Sequence, residues 1–203
     1  MKTIDAYLGE TEKVLRYDCN RKLLAYLTSF PKRAAKKYLV TTDFVIENGK
    51  PVWKKESREF FVFRGTTTRD EMFLPRKVPI LKKPSFDCGP ELSEFYQFFD
   101  GLREEAPNTS GYFYPTDQIA DDFGLEDHLV KAKDKTAVKG RPVVFNATNG
   151  DQIVITKDGK WVWFNHEEGK LIKIADSFPE FLDKYLAYRS VGDGRPFDSF
   201  GRD

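Results

Sequence analysis

The sequence predicts an α+β fold, an antiparallel twisted sheet with helices packed on it, and three observations carry that prediction. Between Val143 and Ile174, four short apolar-rich runs are separated by turn residues, the signature of strands joined in a meander. Directly after them, Ser177 to Tyr185 sets Phe178, Phe181, Leu182 and Tyr185 on one helical face. Near the other end, Asn48-Gly49 stands between two β-rich runs, the preferred pair for a two-residue hairpin turn.

Taken in order, Thr11 to Leu27 reads as one helix, with Val14, Leu15, Leu23, Leu24 and Leu27 at helical spacing. Ser29-Phe30-Pro31 interrupts it, and Pro31 suits the first turn of a short basic helix, Lys32 to Lys37. A hairpin follows, Tyr38 to Ile46 and Pro51 to Lys55, then a strand from Glu59 to Arg64. Leu74 to Pro90 contains Pro75, Pro79, Pro84 and Pro90 and reads as a linker or extended connection. Glu91 to Phe99 is a short helix with Leu92, Phe95, Tyr96 and Phe99 on one face. Pro107 to Pro115 reads as a loop, and Thr116 opens another helix. Asp127 to Lys139 is polar, irregular or partly helical. Strands are expected at Pro142 to Asn146, Gln152 to Thr156, Lys160 to Phe164 and Lys170 to Ile174. The last helix starts at Ser177 with Glu180 in the capping-box position, and the Gly-, Asp- and Arg-rich end from Ser190 is expected to be loose.

The chain of 203 residues suits one large domain, or a domain with an extension. At this size a chain buries roughly 70% of its unfolded surface and needs no staple. Cys19 and Cys88 stand apart with no CxxC and no neighbouring histidine, the pattern of reduced thiols rather than a disulfide or metal site. No apolar run approaches the roughly 20 residues of a membrane span. Acidic residues occupy the place where a signal peptide would be apolar, so a cytoplasmic location is expected. The net charge of +1 hides an asymmetry: residues 1–83 hold 19 Lys and Arg against 10 Asp and Glu, net +9. The remainder holds 14 against 22, net −8. Mutual docking, two different partners, or plain solvated faces all fit that division.

Chemistry-bearing patterns are sparse. The chain contains no GxSxG, P-loop, GxGxxG, HExxH or zinc-spaced cysteine set, so no catalytic, cofactor or metal residue is assigned. His166 with Glu167 and Glu168 could pose as an acid–base or metal cluster, but a surface turn between two strands is the simpler reading. Asp121 and Asp122, with Glu126 and Asp127, read as a solvated acidic face. Pro31 to Lys37 carries four Lys and Arg with Tyr38 behind them, the feature most like a nucleic-acid contact. In the strand holding Trp161 and Trp163, the alternate face carries Val162 and Phe164. Both faces are apolar, which means either a sandwiched strand or an exposed aromatic surface.

The stretch Val143 to Leu186 resembles the C-terminal half of the SUKH superfamily, the family of the yeast cell-wall-assembly regulator and many bacterial immunity proteins. Asn149-Gly150-Asp151 is similar to its turn followed by an acid, and Val162 with Asn165-His166-Glu167 to its middle segment. Ala175-Asp176-Ser177-Phe178 and Phe181-Leu182 resemble its close. Upstream, Glu91 to Gly101 is similar to its first helix, with Asp100-Gly101 where Asn-Gly is usual. The resemblance covers roughly residues 84–188. It divides the chain into a basic extension (1–83, helices plus a hairpin) with no counterpart in the family, a SUKH-like domain (84–188) and a flexible tail (189–203). It implies a non-enzymatic protein-binding module, commonly an immunity protein that neutralises a toxin domain such as a nuclease. An acidic surface suits a basic cleft, and the residues expected to form it are Asp151, Glu167, Glu168, Asp121 and Asp122. The alternative class is a nucleic-acid-associated protein using the basic N-terminal part.

Overall fold

The computed structural model describes residues 4–29, 32–34, 39–47, 50–58, 60–64, 71–75, 88–99, 101–105, 111–114, 116, 119, 125–147 and 150–190. Two helices open the chain, α1 (Ile4–Val14) and α2 (Asp18–Thr28). The strands β1 (Lys32–Ala34), β2 (Leu39–Glu47), β3 (Lys50–Arg58), β4 (Phe60–Arg64) and β5 (Glu71–Pro75) follow. Next come α3 (Gly89–Phe98), β6 (Leu102–Glu105), β7 (Gly111–Phe113), α4 (Leu125–His128) and α5 (Ala132–Val138). The chain continues with β8 (Val143–Ala147), β9 (Gln152–Ile155), β10 (Trp161–Asn165), β11 (Lys170–Ala175) and α6 (Phe178–Ser190).

The class is α+β. Among the described residues nine strands form one antiparallel sheet in the order β1-β4-β5-β6-β7-β8-β9-β10-β11. Strand β5 pairs with β6, so the ladder runs on from the N-terminal strands into the C-terminal ones. Strands β2 and β3 form a separate two-stranded sheet whose register sets Phe44 opposite Trp53, Asp43 opposite Lys54 and Glu47 opposite Lys50. That register leaves a two-residue connection at positions 48 and 49, as the hairpin reading requires.

Four local expectations are corrected. The helix expected over Thr11 to Leu27 is two helices, because Tyr17 is extended (φ −97°, ψ 134°). The cause is tertiary: the buried carboxylate of Glu94 on α3 accepts the backbone N–H groups of Arg16 (2.6 Å) and Tyr17 (3.2 Å) and the side-chain amide of Asn20 (2.9 Å). The carboxylate thus sits at the N-terminus of α2, where negative charge is favoured and where Tyr17 supplies no side-chain cap. Glu94→Ala is expected to cost about 2–3 kcal/mol in urea denaturation, and a loss below about 0.5 kcal/mol would show that water replaces the carboxylate without cost. The short basic helix expected at Lys32 to Lys37 is in part strand β1, since Lys32 to Ala34 complete the edge of β4. Positions 35–37 lie outside the described residues. The loop expected over Pro107 to Pro115 contains β7, held by ladders to β6 and β8 on both sides. Gly111 lies against the Phe145 ring so closely that a Cβ there would fall 2.6 Å from it. The expected linker from Leu74 begins inside β5, and positions 76–87 lie outside the described residues, as does the tail from 191.

Asp127 to Lys139 proves partly helical, and the meander β8 to β11 and the closing helix stand where the alternation put them. The first turn of α6 is organised by its capping residues: Glu180 N–H donates to Ser177 Oγ (3.4 Å) and Glu180 Oε2 accepts from Asp176 N–H (2.8 Å). Lys160 and Lys173 beside Asp176 hold its carboxyl down at about 2. At Thr116 the chain is in a turn and at Ile119 without regular structure. The other positions from 115 to 124 lie outside the described residues.

Strand β10 settles the question of the two apolar faces. All five of its residues are buried. Trp161 and Trp163 lie in a core with α2, α3 and α6, where Trp161 stacks on Phe181 at 4.6 Å and Phe95 meets Phe113 at 5.3 Å. Val162 and Phe164 pack on the other face with Leu125, Leu129 and Val138 from the α4–α5 region. The strand is sandwiched, and neither tryptophan is a contact surface. Cys19 is buried in the first core, and burial pushes its thiol up to about 11.

Candidate partner-binding site

Three connections meet at one end of the meander, and a buried carboxylate ties two of them together. Asp151, at the end of the β8–β9 turn, is 2% exposed. Its Oδ2 accepts the indole N–H of Trp163 (3.0 Å), and its Oδ1 accepts the backbone N–H of His166 (3.0 Å) and lies 2.8 Å from His166 Nδ1. A tryptophan inside a core needs an acceptor for its one donor, and Asp151 supplies it. The His166 ring lies over Gly150, where a Cβ would be 3.5 Å from it. Gly150 and Asp151, which lead into β9, are therefore fixed to the β10–β11 turn.

Within the β10–β11 turn, Asn165 Oδ1 accepts the Glu168 N–H at 2.9 Å, an Asx-type closure that shapes the next three residues. Gly169 has φ +58°, and a Cβ on it would fall 2.5 Å from the His128 carbonyl oxygen. Its own carbonyl accepts the Val130 N–H at 3.1 Å. The link between α4 and α5 is thus pressed onto the turn, so only glycine fits there. Among the described residues, the side chains that the three connections present to solvent are those of His166, Glu167, Glu168, Asp127, His128, Lys131 and Val130, the last 76% exposed. Lys170 Nζ lies 3.1 Å from Glu168 Oε2. The Glu167 carboxylate makes no hydrogen bond or ion pair with any described residue.

The residues expected on an acidic surface divide accordingly. Glu167 and Glu168 stand together in the β10–β11 turn, exposed. Asp151 is a correction: it is inside, where two N–H donors and the His166 ring converge on it, and it offers no charge to solvent. Asp121 and Asp122 lie outside the described residues. Two participants were missed. The Trp163 indole N–H was legible in principle, since a strand apolar on both faces strands that donor unless a nearby acid accepts it. Val130 carries no sequence signal, because it becomes part of the patch only through the contact of His128 and Val130 with Gly169. Among the described residues no three His, Cys, Asp or Glu side chains gather as metal ligands would, and no helix is long and apolar enough to cross a membrane.

Residues 90–184, from the first turn of α3 to the middle of α6, match the SMI1 / KNR4 family (SUKH-1). The matched segment includes the whole of the site above. No curated protein and no solved structure matches significantly.

Proposed function

We propose that this protein is a non-enzymatic, cytoplasmic immunity module that binds and neutralises a basic toxin domain through the end of the meander. The SUKH-1 match over residues 90–184 supports a protein-binding role. The observation that carries the reading is the fixed β10–β11 turn, which presents Glu167 and Glu168 beside the exposed Val130. An apolar centre with a charged rim is the usual anatomy of a protein interface. Carboxylates at the rim accelerate encounter with a cationic cleft, such as that of a nuclease. Asp121 and Asp122 extend the same acidic surface in this reading, and Asp151 contributes to it by holding the turn.

The test first looks for a toxin domain in the reading frames neighbouring the gene and, where one is encoded, uses it as partner. Reversing Glu167 and Glu168 to lysine is expected to slow association about tenfold at low salt. The difference shrinks as ionic strength approaches physiological, where screening acts over about 8 Å. Thermal stability stays within the range of ordinary surface changes, about 0.5 kcal/mol. Cells that make the toxin survive with the native protein and die with the reversed one. Full protection by the reversed protein places the interface elsewhere.

A further inference from the structure

A groove of about 400 Å³ lies where the bend between α1 and α2 crosses α3. Its lining includes Val14, Arg16, Tyr17, Glu94 and Phe98. Val14, the last residue of α1, is 50% exposed, one of two large apolar residues so placed among the described ones. Tyr17 and Phe98 are half-buried, their remaining surface open to the groove. The anionic lining group, Glu94, already accepts from three N–H groups of the bend. Arg16 gives its backbone N–H to Glu94, but its exposed guanidinium has no hydrogen bond or ion pair with any described residue. Among the described lining residues it is the one cation. Val14, Tyr17 and Phe98 therefore share the groove with a positive charge that has no partner among the described residues, a pairing complementary to an apolar residue beside a carboxylate.

We propose that this groove docks a segment of a partner protein in which an aspartate or glutamate adjoins a leucine-sized side chain. The carboxylate pairs with the Arg16 guanidinium, and the apolar group covers Val14, Tyr17 and Phe98. This surface is built from elements other than those of the β10–β11 turn and stands independently of the proposed acidic interface.

Two capped pentapeptides, acetyl-Ala-Leu-Glu-Leu-Ala-amide and its glutamine counterpart, test it by titration into the full chain with the valine methyls and arginine side chains observed by NMR. The expected result is movement of the Val14 methyls and the Arg16 Nε–H, with the glutamate peptide binding about fivefold more tightly. Arg16→Gln abolishes that preference, Arg16→Lys keeps part of it, and Val14→Ser weakens both peptides. Because both side chains are exposed, the melting temperature serves as the control and stays unchanged. Silent Val14 methyls at millimolar peptide, or an undiminished glutamate preference in Arg16→Gln, overturn the proposal. Val14 methyls that move with protein concentration alone assign the groove to a second copy instead. Tighter peptide binding after Phe197→Ser with Phe200→Ser assigns it to this chain's own Phe-Asp-Ser-Phe segment. Either result displaces the partner.

Discussion

Replacing Phe178 by alanine is expected to lower the unfolding free energy by about 3–5 kcal/mol, the range for removing a buried aromatic ring. Phe178 is 3% exposed, with its ring centroid 5.5 Å from that of Trp161 and 5.7 Å from that of Phe95. It thus joins the first turn of α6 to β10 and α3, and alanine leaves a void that three elements cannot all close. Urea denaturation followed by tryptophan fluorescence measures the loss. A change under about 0.5 kcal/mol would show that the ring is not in the core.

Asp151→Ala is expected to cost about 3 kcal/mol although no apolar contact is lost. The substitution leaves the buried Trp163 indole N–H without an acceptor and frees the His166 backbone N–H, and an orphaned buried donor costs about 1–3 kcal/mol. Asp151→Asn is informative beside it. An amide can still accept one of the donors, but its NH₂ group then faces another, so the loss is expected to be intermediate. Hydrogen exchange at the Trp163 indole reports the bond directly, and retained slow exchange in Asp151→Ala would sink the assignment. If the β10–β11 turn is the interface, both variants also weaken partner binding while Glu167 and Glu168 remain in place. That separates a residue that shapes the turn from one that touches the partner.

The parts of this fold that could be read in advance are those whose cause is local. The alternation in β8 to β11, the apolar face of α6 and the β2–β3 pairing on either side of positions 48 and 49 each state their structure within ten residues or so. The misreadings share the opposite property. Nothing within Thr11 to Leu27 announces a break, because the group that breaks the helix is Glu94, 78 positions from Arg16. Lys32 to Ala34 has no strand signal apart from the open edge of β4, and β7 is a strand only because its two neighbours are. The candidate site shows the same division. Glu167 and Glu168 were legible as a turn. Asp151 was legible as important but was assigned to solvent, since a lone aspartate after a glycine does not reveal that an indole twelve residues on needs it.

The position of α2 bears on how the chain is made. Most of the sheet joins strands that are neighbours in sequence, so it can zip as it emerges from the ribosome. The first helices cannot be completed in that way. Leu23, Leu24 and Leu27 are buried in the same core as Phe181, Leu182 and Tyr185, and Lys22 reaches Asp183 across 161 positions at 2.7 Å. During synthesis the part of the leucine face of α2 that α6 covers therefore waits until that helix has emerged. Apolar surface left open in that interval is of the kind that aggregates or draws chaperones, and slower translation ahead of Phe178 would lengthen it.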